Sequence, residues 1–270
     1  MTSIESPGHI GLIGAGVMGE ALITALISAG VRPDAITISE KREERARELT
    51  DTYGVRVEEL ASNVASSDVL LLVVKPQDMA ALLAEIREMV RPKTLVISFA
   101  AGKRIQFISS LLDPNTPIIR VMPNTPTLVG EGMAAISVGP HVSIEESQFA
   151  RDFLSATGRV VEVDESLQDA VTAVSGSGPA YFFYFVESMI RAGVELGLSE
   201  SVANELTIQT IVGAAKLLST SEKSPSALRE NVTSPNGTTA AALASFSQSD
   251  LPAIVKRAMT AARDRSEELA

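Results

Sequence analysis

The chain contains no cysteine and only two histidines, His9 and His141, among its 270 residues. Without cysteine it can form no disulfide, no thiolate nucleophile and no Cys-ligated zinc site. His9 and His141 read as turn or strand-edge residues, so histidine-dependent chemistry is not expected and no metal site is assigned. Positive charge is also scarce, with 23 Lys and Arg against 33 Asp and Glu and a formal net charge of −10. That balance argues against nucleic acid as a general partner, because phosphate recognition needs a cationic face. Any phosphate site must therefore be local. Long apolar runs are missing too: the longest unbroken run of Val, Leu and Ile is Val69 to Val74, far short of the roughly 20 residues of a membrane span. Met1 to Gly8 shows no basic segment leading into an apolar one, so no secretory signal is read there and the expected location is the cytoplasm.

What the chain does have is glycine in a telling place. Ile10 to Ile13 is apolar, and the run then turns through Gly14, Ala15, Gly16, Val17, Met18 and Gly19 into a segment with Ala21, Leu22, Ala25, Leu26 and Ala29 at helical spacing. This is the G-x-G-x-x-G arrangement of a dinucleotide site. Gly14 permits the tight turn, Gly16 lets the backbone approach the pyrophosphate, and Gly19 lets the helix lie close to the strand. The helix N-terminus presents free N–H groups to the anion.

Farther along, Ala35 to Ser39 reads as a second strand ending in Glu40, Lys41 and Arg42. This position reads the adenosine ribose. A carboxylate there hydrogen-bonds the free 2′-OH of NADH, whereas Ser39, Lys41 and Arg42 suit the 2′-phosphate of NADPH. Both cofactors stay open, with NADPH slightly favoured. Lys41 to Thr52 reads as a charged helix and Val55 to Val57 as a third strand. Asp68 to Val74, Thr94 to Phe99 and Ile118 to Val121 read as strands buried on both faces of a parallel sheet. They open into Lys75-Pro76-Gln77, Ala100-Ala101-Gly102 and Met122-Pro123-Asn124, delivering small or polar residues to one sheet edge. Ala134 to Val138, a helix over Ile144 to Ser155 and Arg159 to Val163 complete an α/β domain of about eight strands.

Near residue 166 the rhythm becomes helix only. The expected organisation is a Rossmann-type dinucleotide-binding domain over 1–165 and an all-helical dimerisation and substrate-binding domain over 166–270. Tyr181 to Leu196 and Glu200 to Leu218 are long helices, apolar on more than one face. About 105 residues cannot bury two such helices unaided, so an intertwined homodimer is inferred. A last loop, Val232 to Thr239, precedes a helix over Ala240 to Phe246. Its hydroxyls and the free N–H groups of the helix form a site for a small carboxylate.

On these residues the chain resembles the pyrroline-5-carboxylate reductase family. The resemblance is carried by Gly14 to Gly19, Val74-Lys75-Pro76, Met122 to Pro126, Ala173 to Tyr181 and Val232 to Thr239. It implies reduction of the C=N bond of Δ1-pyrroline-5-carboxylate to L-proline by NADPH or NADH, the last step of proline biosynthesis. It further implies that Ser234, Asn236, Gly237, Thr238 and Thr239 bind the substrate carboxylate. Thr239 falls where the family has a threonine bonded to the ring nitrogen, and Glu222 where it has an acidic residue near the active site. Asn63 would contact the adenosine side, and Val74, Lys75, Pro76, Ala100 and Asn124 would line the cofactor cleft. The family commonly has two glycines after Ser-Pro, and Asn236 replaces the first. Asparagine is the non-glycine residue that best tolerates positive φ. The implied assembly is a homodimer, with a larger homo-oligomer open.

Imine chemistry suits this composition. A cyclic imine is basic enough to arrive partly protonated, so hydroxyls and positioning can replace the dedicated acid that carbonyl reduction needs. A β-hydroxyacid dehydrogenase would place a catalytic lysine on the long helix, and Tyr181 to Arg191 contain none. The Ser234 to Thr239 loop speaks against a non-catalytic nucleotide-binding scaffold.

Overall fold

The computed structural model describes residues 8–269. The stretch Met1 to Gly8 considered above for a secretory signal therefore lies, Gly8 apart, outside the described residues. The first elements alternate: β1 (Ile10–Ile13), α1 (Val17–Ser28), β2 (Ile36–Ser39), α2 (Glu43–Tyr53), β3 (Arg56–Val57), α3 (Leu60–Ser66), β4 (Val69–Leu72), α4 (Met79–Ile86), β5 (Leu95–Ser98), α5 (Ile105–Leu111), β6 (Ile118–Met122), β7 (Gly132–Val138), α6 (Ile144–Ser155) and β8 (Gly158–Glu162). They build one eight-stranded sheet in the order β3-β2-β1-β4-β5-β6-β7-β8. All neighbouring pairs are parallel except β6 and β7. The strand order reverses between β1 and β4, which opens a crevice at their carboxyl ends where open α/β sheets bind ligands.

The strands are apolar throughout because both faces of the sheet are covered. Leu71, Leu95 and Ile97 point into one core with Leu22 and Leu26 of α1 and Phe149 and Phe153 of α6. Leu70, Leu72 and Val96 point into the other, against Leu83 and Ile86 of α4 and Ile108 of α5. Each such side chain contributes about 1.5–3 kcal/mol by leaving water. Strand ends are shorter than the apolar runs. β4 stops at Leu72 rather than Val74, because Pro76 opens a 3₁₀ turn over Pro76–Asp78.

Two compact units divide the chain: one runs to Ser177 and takes in the chain again from Ala262, and the other is Gly178–Ala261. In the first, α7 (Gln168–Val171) continues into a π-helical turn over Thr172–Gly176. Ser175 and Gly176 are thus wound into this turn. A Cβ on Gly176 would stand 2.3 Å from Met122 Cε, the flexible end of a side chain. The second unit holds α8 (Gly178–Glu195), α9 (Glu200–Thr220), α10 (Pro225–Asn231), α11 (Thr238–Gln248) and the first part of α12 (Leu251–Glu268).

In the single chain these helices bury little. Phe182, Phe183 and Tyr184 are 64%, 61% and 71% exposed, and Leu206, Val212 and Leu217 lie open as well. An apolar surface of this extent marks an interface. Among the described residues no helix is long and apolar enough to cross a membrane.

Candidate active site

Each glycine of the first turn answers to a different constraint. Gly14 has φ +91°, and a Cβ on it would meet the Val73 carbonyl oxygen at 2.7 Å. A Cβ on Gly19 would stand 2.6 Å from the Gly14 carbonyl oxygen, so α1 can begin this close to the turn only without one. Gly16 is different. It has φ −70°, and a Cβ there would meet nothing within 4 Å. No packing within the chain demands glycine at 16, and the space above it is open. Gly16 makes no side-chain cap, leaving the first amides of α1, from Val17, to face that space.

The peptide of Ala15 is clamped at both ends. Its N–H donates to Glu40 Oε2 at 3.1 Å, and its carbonyl accepts from Arg45 Nε at 3.2 Å. Arg45 also reaches Glu20 at 2.5 Å, and Tyr53 donates its hydroxyl to Glu20 at 2.9 Å. Nothing local in the sequence marks Arg45, a residue of α2, as the holder of a turn thirty positions earlier. Burial would raise the Glu40 pKa, but hydrogen bonds from Arg42 and from the Ala15 amide outweigh it and hold the carboxyl below its usual range. Lys41 is exposed beside this cluster.

Asn63 lies beneath β2 rather than on the surface. It is wholly buried, and its Nδ2 donates to Ser39 Oγ at 2.9 Å, so it acts on the end of β2 through Ser39. Ser39 in turn donates to the Glu58 carbonyl at 3.0 Å. Asn124 is 9% exposed and similarly committed: its Nδ2 donates to the Ser175 carbonyl at 3.2 Å, and its Oδ1 accepts from Met133 N–H at 2.8 Å. It ties the end of β6 to the π-helical turn. Val74 and Pro76 are partly buried, Lys75 is exposed, and Ala100 is buried beyond β5.

The helical unit carries the second set. Asn236 has φ +59°, one of two described non-glycine residues with positive φ. The left-handed conformation commonly filled by glycine is thus filled by asparagine. The Gly237 N–H donates to the Ser234 carbonyl at 3.0 Å, closing the turn. Gly237 then starts α11 without a side-chain cap, which leaves the first amides of that helix without a capping side chain. The helix begins at Thr238 instead of Ala240, placing Thr238 and Thr239 in its first turn. Of the hydroxyls expected here, that of Thr233 is unavailable, because it donates to the Arg229 carbonyl at 2.6 Å. Those of Ser234, Thr238 and Thr239 remain. Glu222 is exposed in the link between α9 and α10.

Known proteins match this chain over nearly its whole length. Pyrroline-5-carboxylate reductases from Corynebacterium melassecola and Synechocystis sp. are 41% and 42% identical to it, over 96% and 97% of this chain and 98% of each relative. The chain belongs to the pyrroline-5-carboxylate reductase family. The family model for pyrroline-5-carboxylate reductase dimerisation matches residues 165–269, and the model described as NADP oxidoreductase coenzyme F420-dependent matches 9–102. The solved reductase of Coxiella burnetii has a TM-score of 0.89 at 32% identity, covering 98% of this chain and 99% of its own. That of Plasmodium falciparum, with NADP bound, has a TM-score of 0.88 at 28% identity, covering 97% and 98%. As a member of the pyrroline-5-carboxylate reductase family the chain is an NAD(P)H-dependent oxidoreductase with a Rossmann-type domain and a homodimer-forming helical domain.

Proposed function

We propose that this chain reduces Δ1-pyrroline-5-carboxylate to L-proline, with residues 1–165 binding the dinucleotide and 166–270 serving dimerisation and substrate binding. The observation that carries the reading is the start of α11. There an uncapped helix N-terminus, a turn held by Asn236 at φ +59° and the hydroxyls of Ser234, Thr238 and Thr239 stand together on a chain with a Gly16 cradle. The substrate's carboxylate is the anion such a helix start accepts.

When bound, NADH or NADPH supplies a hydride to the C=N carbon. The chain positions and polarises. Gly14, Ala15, Gly16, Val17, Met18 and Gly19 hold the pyrophosphate, and Ser39, Glu40 and Lys41 meet the adenosine ribose, with Asn63 setting Ser39. Val74, Lys75, Pro76, Ala100 and Asn124 form the walls beyond. Ser234, Asn236, Gly237 and Thr238 fix the carboxylate, and the Thr239 hydroxyl bonds the ring nitrogen, which keeps its proton as the product amine forms. Glu222 supplies negative charge near the protonated imine. The enzyme works as a homodimer and acts in the cytoplasm.

The test is direct. Purified protein mixed with pyrroline-5-carboxylate should oxidise NADH or NADPH and form proline in equal amount. Absence of proline with either cofactor rejects the reading.

A further inference from the structure

At the end of β2 three of the four side chains that could hold a 2′-phosphate, Ser39, Arg42 and Arg45 but not Lys41, are already engaged. The Ser39 hydroxyl donates to the Glu58 carbonyl at 3.0 Å and accepts from Asn63 at 2.9 Å. The Arg42 guanidinium lies on Glu40, with Nε 3.0 Å from Oε1 and Nη2 3.3 Å from Oε2. The Arg45 guanidinium is held by the Ala15 carbonyl, Glu20 and Glu48. Lys41 stands outside this network.

Glu40 itself fills the space. Its side chain is only 8% exposed, fixed from within by the Ala15 N–H and from its own loop by the Arg42 N–H at 3.0 Å. A buried carboxylate that accepts two backbone N–H bonds is a rigid acceptor beside the fingerprint turn. The longest of its contacts, Arg42 Nη2, comes from a side chain that is 65% exposed. A ribose hydroxyl can take that place with little rearrangement. A phosphate would bring up to two negative charges against a carboxylate that the Ala15 and Arg42 N–H groups hold in place.

We propose that Glu40 makes this chain select NADH over NADPH, reading the 2′-hydroxyl of the adenosine ribose and rejecting its phosphate. The inference rests on the assignment of the Gly14 to Gly19 crevice as the dinucleotide site, and not on the identity of the imine. Arg42 acts as a latch on Glu40 rather than as a phosphate ligand. In a variant without the carboxylate, Arg42 and the Ala15 amide become free, and the preference should turn.

The decisive measurement is calorimetric binding of ADP-ribose and of 2′-phospho-ADP-ribose to the full-length protein. Neither carries a nicotinamide, so catalysis plays no part. Wild type is expected to bind ADP-ribose at least about tenfold more tightly, a difference of one decade in Kd. In Glu40→Ser the ratio should shift toward the phosphorylated ligand by at least about tenfold. Glu40→Gln, which keeps the shape and removes the charge, should lose most of the discrimination while still binding ADP-ribose. Equal or tighter binding of the phosphorylated ligand by wild type overturns the role of Glu40 and leaves the crevice assignment standing. A wild-type preference that persists unchanged in both variants also overturns it. If wild type binds neither ligand, the crevice assignment fails and the inference fails with it.

Discussion

Ser266, near the end of α12, donates its hydroxyl to Asp169 Oδ1 at 2.7 Å across 97 positions of sequence. Both residues are buried, and Asp169 also lies 3.7 Å from Arg120 Nη2, itself 3% exposed on β6. Arg120 Nη1 reaches Glu165 at 3.4 Å, and Glu165 accepts the Ile105 N–H at 2.7 Å. One guanidinium thus joins the sheet, the start of α5, the segment after β8 and the end of the last helix.

Removing the cation from this network should be costly. Arg120→Met leaves two carboxylates without their counter-charge, one of them deeply buried. The expected loss is about 3–5 kcal/mol of unfolding free energy, the range for breaking one partner of a buried pair. Ser266→Ala should cost less, about 1.5–3 kcal/mol, since it removes one hydrogen bond to a charged acceptor. Denaturant unfolding of both variants at one fixed protein concentration checks the order, because dimer formation makes stability concentration-dependent. Equal losses would mean that the network is not organised around Arg120.

The fingerprint glycines separate binding from folding. Gly16→Ala places its methyl in open space with φ −70°, so the melting temperature should hardly move. Nucleotide affinity should fall by at least about tenfold, because the methyl occupies the space of the pyrophosphate. Gly19→Ala should lower both, since its Cβ would meet the Gly14 carbonyl oxygen at 2.6 Å. Melting curves with and without ADP-ribose resolve the two effects.

The parts of this molecule that could be read from sequence are those written in local pattern. Val69 to Leu72 is apolar at every position because β4 is covered on both faces, and the glycines at 14, 16 and 19 report backbone constraints at their own positions. The expectation of too much apolar surface in α8 and α9 is met by Phe182, Phe183 and Leu217 lying open. Pairings between distant residues leave no such pattern. Nothing near Arg120, Asp169 or Ser266 announces that they meet, and nothing near Arg45 ties it to the Ala15 carbonyl. Asn63 shows a subtler limit: its side chain is buried and engages Ser39, a geometry that a motif position does not encode. The start of α11 at Thr238 rather than Ala240 is not legible, because a threonine suits a loop and a first turn equally well.

Acid should loosen the α1–α2 pairing in a defined window. Hydrogen bonds from Arg45, opposed by burial and aided by Tyr53, hold the Glu20 carboxyl below its usual range. The folded chain therefore binds fewer protons than the unfolded chain around the ordinary glutamate pKa. The stabilisation is fully present above that unfolded value, about 4.3 for glutamate, and is lost as pH falls through the lower folded value. Unfolding free energy measured from pH 6 downward should fall less steeply below about pH 4.3 in Glu20→Gln than in wild type. Identical slopes would remove Glu20 from the acid response.

Thr239 offers the sharpest separation of binding from chemistry. It lies in the first turn of α11, where the helix amides can hold a carboxylate whether or not its hydroxyl is present. A hydroxyl that bonds the ring nitrogen matters most as that nitrogen gains amine character, so its removal should appear in kcat. Thr239→Ala is expected to lower kcat by about a hundredfold, the lower range for a positioned proton-bonding group. KM for pyrroline-5-carboxylate, nucleotide affinity and dimer content should stay close to wild type. Thr239→Ser keeps the hydroxyl on a smaller side chain and should recover most of the rate. If Thr239→Ala instead raises KM at constant kcat, the hydroxyl contributes equally to ground state and transition state, and serves substrate binding alone.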